Sequence, residues 1–219
     1  MHRSGTSLLV GLLELHGFQL GGVSNKTSAL KPTGTKESLE VRKINNQLFM
    51  NASSDWMNPK VSKQTNHEMA LKIKQAANYF NAFSQWAIKD PRMLFTYNLW
   101  REHLPKHKLI GAYRKPLEVA QSLQIKNGIP ISDGLEIWKK YNYQLLKIWK
   151  KSPFPIIEFS ANKQLYLTQF KQIANHLNLN YQSEESSHFY QHKNHQLKAG
   201  YLIPEVYMDL ARQLEQLTQ

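Results

Sequence analysis

Small and basic residues stand together at the start of the chain, in HRSGTSLL (residues 2–9). Gly5 permits close backbone approach or an unusual dihedral. Thr6 and Ser7 offer hydroxyl donors in what reads as the first turn of a helix. The N-terminus of that helix adds free amides and a positive dipole end. Arg3 brings a forked cation suited to phosphate or sulfate oxygens. Together these groups, with Ser4, are the chemistry of an oxyanion site. Taken alone, a short Ser/Gly/Thr segment is equally a plain helix cap. The Walker A pattern GxxxxGK[ST] is absent, lacking both its first glycine and its lysine, so an ordinary ATP or GTP site is not indicated.

A second cation stands in YRKPLEVAQSL (113–123), where Arg114 closes an apolar run and Ser122 follows eight residues later. Each alone reads as a surface charge and a tolerated helix serine. A third group is KDPR (89–92), again at the end of a short apolar run. Cations at the carboxyl ends of strands suit an anion grip on an open α/β sheet.

The elements that must position these groups follow from periodicity. Leu8, Leu9, Leu12, Leu13 and His16 predict a helix over 5–16, stopped by Gly17. Residues 21–36 are polar and rich in Gly, Ser, Thr and Pro, and read as a loop. Helical patterns follow at about 37–50 and 67–84. QWAIK (85–89) predicts a strand, and Pro91 suits the first position of a helix running to about Leu104. HKLIGAYR (107–114) predicts a second strand before a helix from Pro116. A helix over about 133–150 precedes a third strand, FPIIEF (154–159), and helices follow at about 161–177 and 204–217. The stretch 180–200 is polar and histidine-rich, with little periodicity. Strands alternating with helices predict a parallel sheet covered on both faces, in one domain over 1–219.

Bulk composition narrows the class. The 219 residues suffice for a domain with a core. There is no cysteine, which excludes disulfides, thiolate metal sites and a cysteine nucleophile. No apolar run reaches membrane-span length, no signal peptide fits, and a cytoplasmic chain is the simple default. The formal charge of +12 calls for an anionic partner or a lysine-rich solvated surface. The basic residues are spread along the chain, without an arginine-rich tail, zinc-finger spacing or RNA-recognition motif, so nucleic acid is not the expected partner.

The opening segment resembles the 5′-phosphosulfate-binding loop of the sulfotransferases that use 3′-phosphoadenosine 5′-phosphosulfate (PAPS). HRSGTSLL is similar to the arginine-containing loops of bacterial and Golgi-type members. YRKPLEVAQSL resembles the family's R-x-P-x-x-V-x-x-S pattern. KDPR is similar to the K-D-P segment of the same members. The likeness covers about residues 2–160. It implies a P-loop NTPase-like three-layer α/β/α fold with a central, mainly parallel sheet. It also implies PAPS as co-substrate and PAP (the 3′,5′-bisphosphate) as product. Arg3, Ser4, Gly5, Thr6 and Ser7 would bind the 5′-phosphosulfate, and Arg114 and Ser122 the 3′-phosphate. Lys89 would reach the sulfuryl group or the bridging oxygen, with Arg3 adding to the positive field. The acceptor would be a small molecule or glycan, most simply a carbohydrate hydroxyl, and no metal is required.

Sulfuryl transfer needs a base for the acceptor hydroxyl. LKPTGTKESLEV (30–41) reads against the N-P-K-G-[FYW]-x-E segment of related members, keeping Gly34 and Glu37 but with Thr35 and Lys36 at the aromatic position and beside it. Glu37 is the candidate base, and it is equally an ordinary acid in the first turn of a helix. Glu40 and His2 are weaker candidates. His188, His192 and His195 have helical spacing but no acidic or cysteine partner nearby, so a basic lid is expected there in preference to zinc. In this family the loop follows a central strand, and the chain opens at the loop. The expectation is that Met1 is an internal methionine and that the first strand lies upstream. The rival expectation is that another segment fills its place. Two other functions are kept: a P-loop-like nucleotide kinase, which would favour ATP over PAP, and a basic nucleic-acid-binding module.

Overall fold

The computed structural model describes residues 1–23, 35–190 and 201–218. The chain forms two compact units, one of Met1–Thr6 with Lys108–Gln219 and one of Ser7–His107. They are called the C-terminal and N-terminal units below.

The C-terminal unit is built on two short parallel strands, β1 (Gly111–Tyr113) and β2 (Ile156–Glu158), with Ala112 opposite Ile157. The pairing continues past the strands, since the Phe159 amide donates to the Tyr113 carbonyl at 2.7 Å. The crossover from β1 to β2 is a helical hairpin of α5 (Pro116–Asn127) and α6 (Ile131–Lys151). Pro116 opens α5, where a missing amide proton costs nothing, and Gly128 ends it at φ 69°. The hairpin closes tightly at Gly134, where a Cβ would stand 2.9 Å from the Ala120 Cα. α6 buries Leu135, Trp138, Tyr141, Asn142 and Leu145, a 3–4 spacing that turns one face to the core. α7 (Lys163–Leu177) is capped by Asn162, whose side chain accepts the Leu165 amide. α8 (Ser183–Phe189) and α9 (Glu205–Gln216) complete the unit.

The N-terminal unit holds α1 (Thr6–Leu15, whose first residue belongs to the other unit), α2 (Leu39–Asn51), α3 (His67–Asn78) and α4 (Met93–Trp100), with a 3₁₀ turn over Tyr79–Ala82. Its apolar cluster joins Val41, Ile44 and Leu48 of α2 to Met69 and Ile73 of α3, Phe80 and Trp100. Among the described residues, no helix is long and apolar enough to cross a membrane.

The fold is a helix-rich α/β mixture. Eight of the predicted elements are present within a few residues of their expected limits: the helices at 5–16 and 37–50, from Pro116, and at 133–150, 161–177 and 204–217, and the strand cores near 111–113 and 156–158. Other expectations are corrected. QWAIK is no strand: it makes one parallel bridge, Trp86 opposite Gln19. Gly21, at φ 74°, turns the partner segment away immediately afterwards, so the ladder has nothing to continue on. The sheet therefore has two described strands, not three. Pro91 is not helical. Asp90–Arg92 form a turn, and α4 starts at Met93, whose amide bonds the Asp90 carbonyl at 3.0 Å. The helix expected over 67–84 stops at Asn78 and tightens into the 3₁₀ turn. Part of the aperiodic stretch 180–200 is helix α8, while 191–200, with His192 and His195, lies outside the described residues, as does Gly34.

Candidate functional site

In the C-terminal unit the opening loop, the end of β1 and α5 meet at the carboxyl edge of the strand pair. Arg3 Nε donates to Ser122 Oγ at 2.8 Å, a bond spanning 119 positions. Arg114 follows β1 directly, and one of its terminal nitrogens donates to the Arg3 carbonyl at 3.1 Å. The Arg114 Nε donates to Glu118 at 2.8 Å, one helical turn along α5. Its guanidinium carbon sits 4.8 Å from the centre of the Phe159 ring, just past β2. The buried Trp138 indole donates to the Arg114 carbonyl at 2.8 Å. So Arg114 is held on its backbone, its Nε and its flat face.

The loop's own geometry is tight. Arg3 and Gly5 both have left-handed backbone, at φ 64° and 73°. A Cβ on Gly5 would lie 2.0 Å from Phe159 Cδ2, so only glycine fits here. Ser4 is buried, and among the described residues its hydroxyl has no hydrogen-bond partner. Burial, and then the nearby Arg114 guanidinium, lower the Arg3 pKa from its ordinary value. Among the described residues no carboxylate pairs with Arg3, while Arg114 pairs with Glu118, so two guanidiniums stand near each other with one paired carboxylate between the two of them. A site with this surplus stabilises an anion with several oxygens. His2 lies beside the loop with its ring edge-on to Tyr141, centroids 5.6 Å apart.

In the N-terminal unit a second cluster forms around Lys89. Its ammonium donates to Glu37 Oε1 at 2.8 Å and to the Thr35 carbonyl at 3.0 Å, with Ser7 Oγ at 3.5 Å. Ser7 Oγ in turn donates to the same carbonyl at 3.0 Å. Arg92 reaches the other side of Glu37, with 3.8 Å between its nitrogen and Oε2. It is held there by Asp90, whose Oδ1 accepts the Arg92 amide at 2.9 Å and guanidinium at 2.8 Å. All four charged side chains are nearly buried, and the two cations face two carboxylates.

The structure thus gathers Arg3, Arg114 and Ser122 in one unit and Ser7, Glu37 and Lys89 in the other. Thr6 begins α1. Glu40 is exposed in the first turn of α2, and His188, exposed, bonds back to the Glu184 carbonyl within α8. Several participants escaped sequence reading. The Thr35 carbonyl is backbone and leaves no trace in residue type. Lys36, at φ 54°, pairs with Glu14. Glu118 was legible as an i+4 partner of Arg114. Asn45, buried in α2, carried no local signal at all. No family model, curated protein or solved structure matches the chain.

Proposed function

We propose that this chain is a PAPS-dependent sulfotransferase of P-loop-like fold, acting on an acceptor hydroxyl, most simply a carbohydrate's, with the cytoplasm as its default compartment. The observation that carries the reading is the Arg3–Ser122 hydrogen bond at 2.8 Å, with Arg114 on the Arg3 carbonyl. Two motifs that the family uses for one nucleotide come together in one unit. The surplus positive charge, the buried Ser4 hydroxyl without a partner among the described residues and the part-desolvated Arg3 all support an oxyanion ligand.

The reaction forms a bond from the acceptor oxygen to sulfur and breaks the bond from sulfur to the bridging phosphate oxygen, releasing PAP. The acceptor proton must leave, and charge grows on the bridging oxygen. By the family's pattern Glu37 takes the proton and Lys89 meets the developing charge. Catalysis of this kind is mostly positioning and cationic stabilisation, with a base adding about 10²–10⁴-fold.

Thermal melting with PAP, AMP and ATP tests the reading, followed by PAP release from PAPS against a panel of oligosaccharides. PAP at 100-fold over its Kd should add about 2.7 kcal/mol to the stability of the native state. That is a rise of roughly 5–10 °C for a chain of this size. The rise should vanish in Arg114→Ala and be small with AMP. An equal rise with ATP would favour a nucleotide kinase. Salt-sensitive oligonucleotide binding that survives loss of Arg3 and Arg114 would favour a nucleic-acid module.

A further inference from the structure

The N-terminal unit carries a buried polar chain that no motif foreshadowed. Asn45, Thr96 and Trp100 are fully buried, on α2 and α4. Asn45 Oδ1 accepts from Thr96 Oγ1 at 2.8 Å and from Trp100 Nε1 at 2.9 Å. Asn45 Nδ2 donates to Asp90 Oδ2 at 3.1 Å. The other oxygen of Asp90 holds Arg92, which stands beside Glu37.

The direction of this chain is fixed by one chemical fact: an indole N–H only donates. The Asn45 atom facing Trp100 must be the oxygen, so the amide nitrogen must face Asp90. The carboxylate of Asp90 then has both oxygens engaged, and its own side chain is wholly buried. An apolar core would hold α2 against α4 without such groups, and each buried polar atom must find a partner to be tolerated. The network therefore does more than fill space: it ties α2 and α4 to the Lys89–Arg92 turn through the Asp90 carboxylate.

We infer that Asn45 is a positioning residue, aligning Asp90 and through it Arg92 and Glu37 for the transfer step. The inference rests on the sulfotransferase reading, and it assigns Asn45 no contact with substrate. Its effect belongs on turnover more than on PAP binding, because the residues assigned to the 3′-phosphate lie in the other unit and the chain from Asn45 ends at Arg92 and Glu37, to which no nucleotide contact is assigned.

The test is steady-state PAP release from PAPS, with water and with the oligosaccharide panel as acceptors, alongside the PAP melting shift. In Asn45→Asp an oxygen replaces the nitrogen facing Asp90, setting two carboxylates against each other. The expected result is a kcat at least tenfold lower, a KM for PAPS within about twofold of wild type and an unchanged PAP shift. Trp100→Phe removes the group that orients the amide and should lower kcat by a smaller factor with the same split. It also serves if Asn45→Asp does not fold. Equal kcat in wild type and in a folded Asn45→Asp or Trp100→Phe would overturn the inference and leave the sulfotransferase reading intact. A parallel rise in KM would overturn it too. A wild-type chain with neither a PAP shift nor PAP release would overturn the reading itself, and the inference with it.

Discussion

Of Arg3 and Arg114, only Arg114 has a carboxylate partner among the described residues, Glu118, whereas Lys89 and Arg92 face two, Glu37 and Asp90. The first pair is short of negative charge, half desolvated and built on a loop whose backbone is left-handed at two of four residues. The second pair is balanced, nearly dry and tied into the apolar cluster through Asn45 and Trp100. The difference separates two tasks. On the sulfotransferase reading, a surplus of cations favours the arriving anion, so most of the nucleotide affinity would belong to the C-terminal unit. The second cluster balances its charges, although the buried Arg92 Nε has no hydrogen-bond partner among the described residues, so on the same reading the N-terminal unit contributes geometry more than affinity.

The comparison breaks most easily at Lys89. Lys89→Met takes the ammonium from a buried carboxylate and should destabilise the chain by about 3–5 kcal/mol in urea unfolding. If the surviving fold is populated, its PAP-induced melting shift should fall by less than that of Arg114→Ala. A lost shift would mean that nucleotide affinity is not confined to the arginine pair. Gly5→Ala acts on the other side. A left-handed alanine costs about 1–2 kcal/mol, and forcing the new methyl against Phe159 adds about 1–3 kcal/mol. Denaturant unfolding should register a loss of that order together with loss of the PAP shift. Wild-type stability with wild-type PAP binding would remove the tight loop from the argument.

The smallest effect concerns pH. Glu158 on β2 has its carboxyl pKa raised, chiefly by burial and then by Glu215 and Glu118, with Lys115 opposing. Its folded value exceeds its unfolded one, so its contribution to stability is present at acid pH and is lost as pH rises through the folded value. Glu158→Gln should therefore raise the melting temperature slightly at pH 8, and the gain should fade toward pH 4. A gain of the same size at both values would mean that charge is not the cause. The gain is kept small because the group is half exposed and water screens it.

What the sequence disclosed was local. The apolar spacing of α1 and α6, Pro116 before α5 and Gly128 after it, and the cations that follow short apolar runs are all written in neighbouring residues. Arg114 just precedes α5 and Ser122 lies on it, so their placement at one strand-to-helix junction was legible. What stayed hidden depends on partners far along the chain. QWAIK has the composition of a strand, yet it meets Gln19 at a single position. Asn45 looks like any polar residue in a helix until α4 supplies Thr96 and Trp100. The Thr35 carbonyl would be the same whatever side chain stood there.

Each cluster also contains a buried indole with its N–H committed, Trp138 to the Arg114 carbonyl and Trp100 to Asn45. The chain has five tryptophans, hence five indole cross-peaks in a ¹H–¹⁵N spectrum. Two of them report from inside the clusters without any label being attached. Adding nucleotide should displace the Trp138 resonance while that of Trp100 stays still, and altering Asn45 should do the reverse. The protein thus carries one spectroscopic witness for affinity and another for geometry.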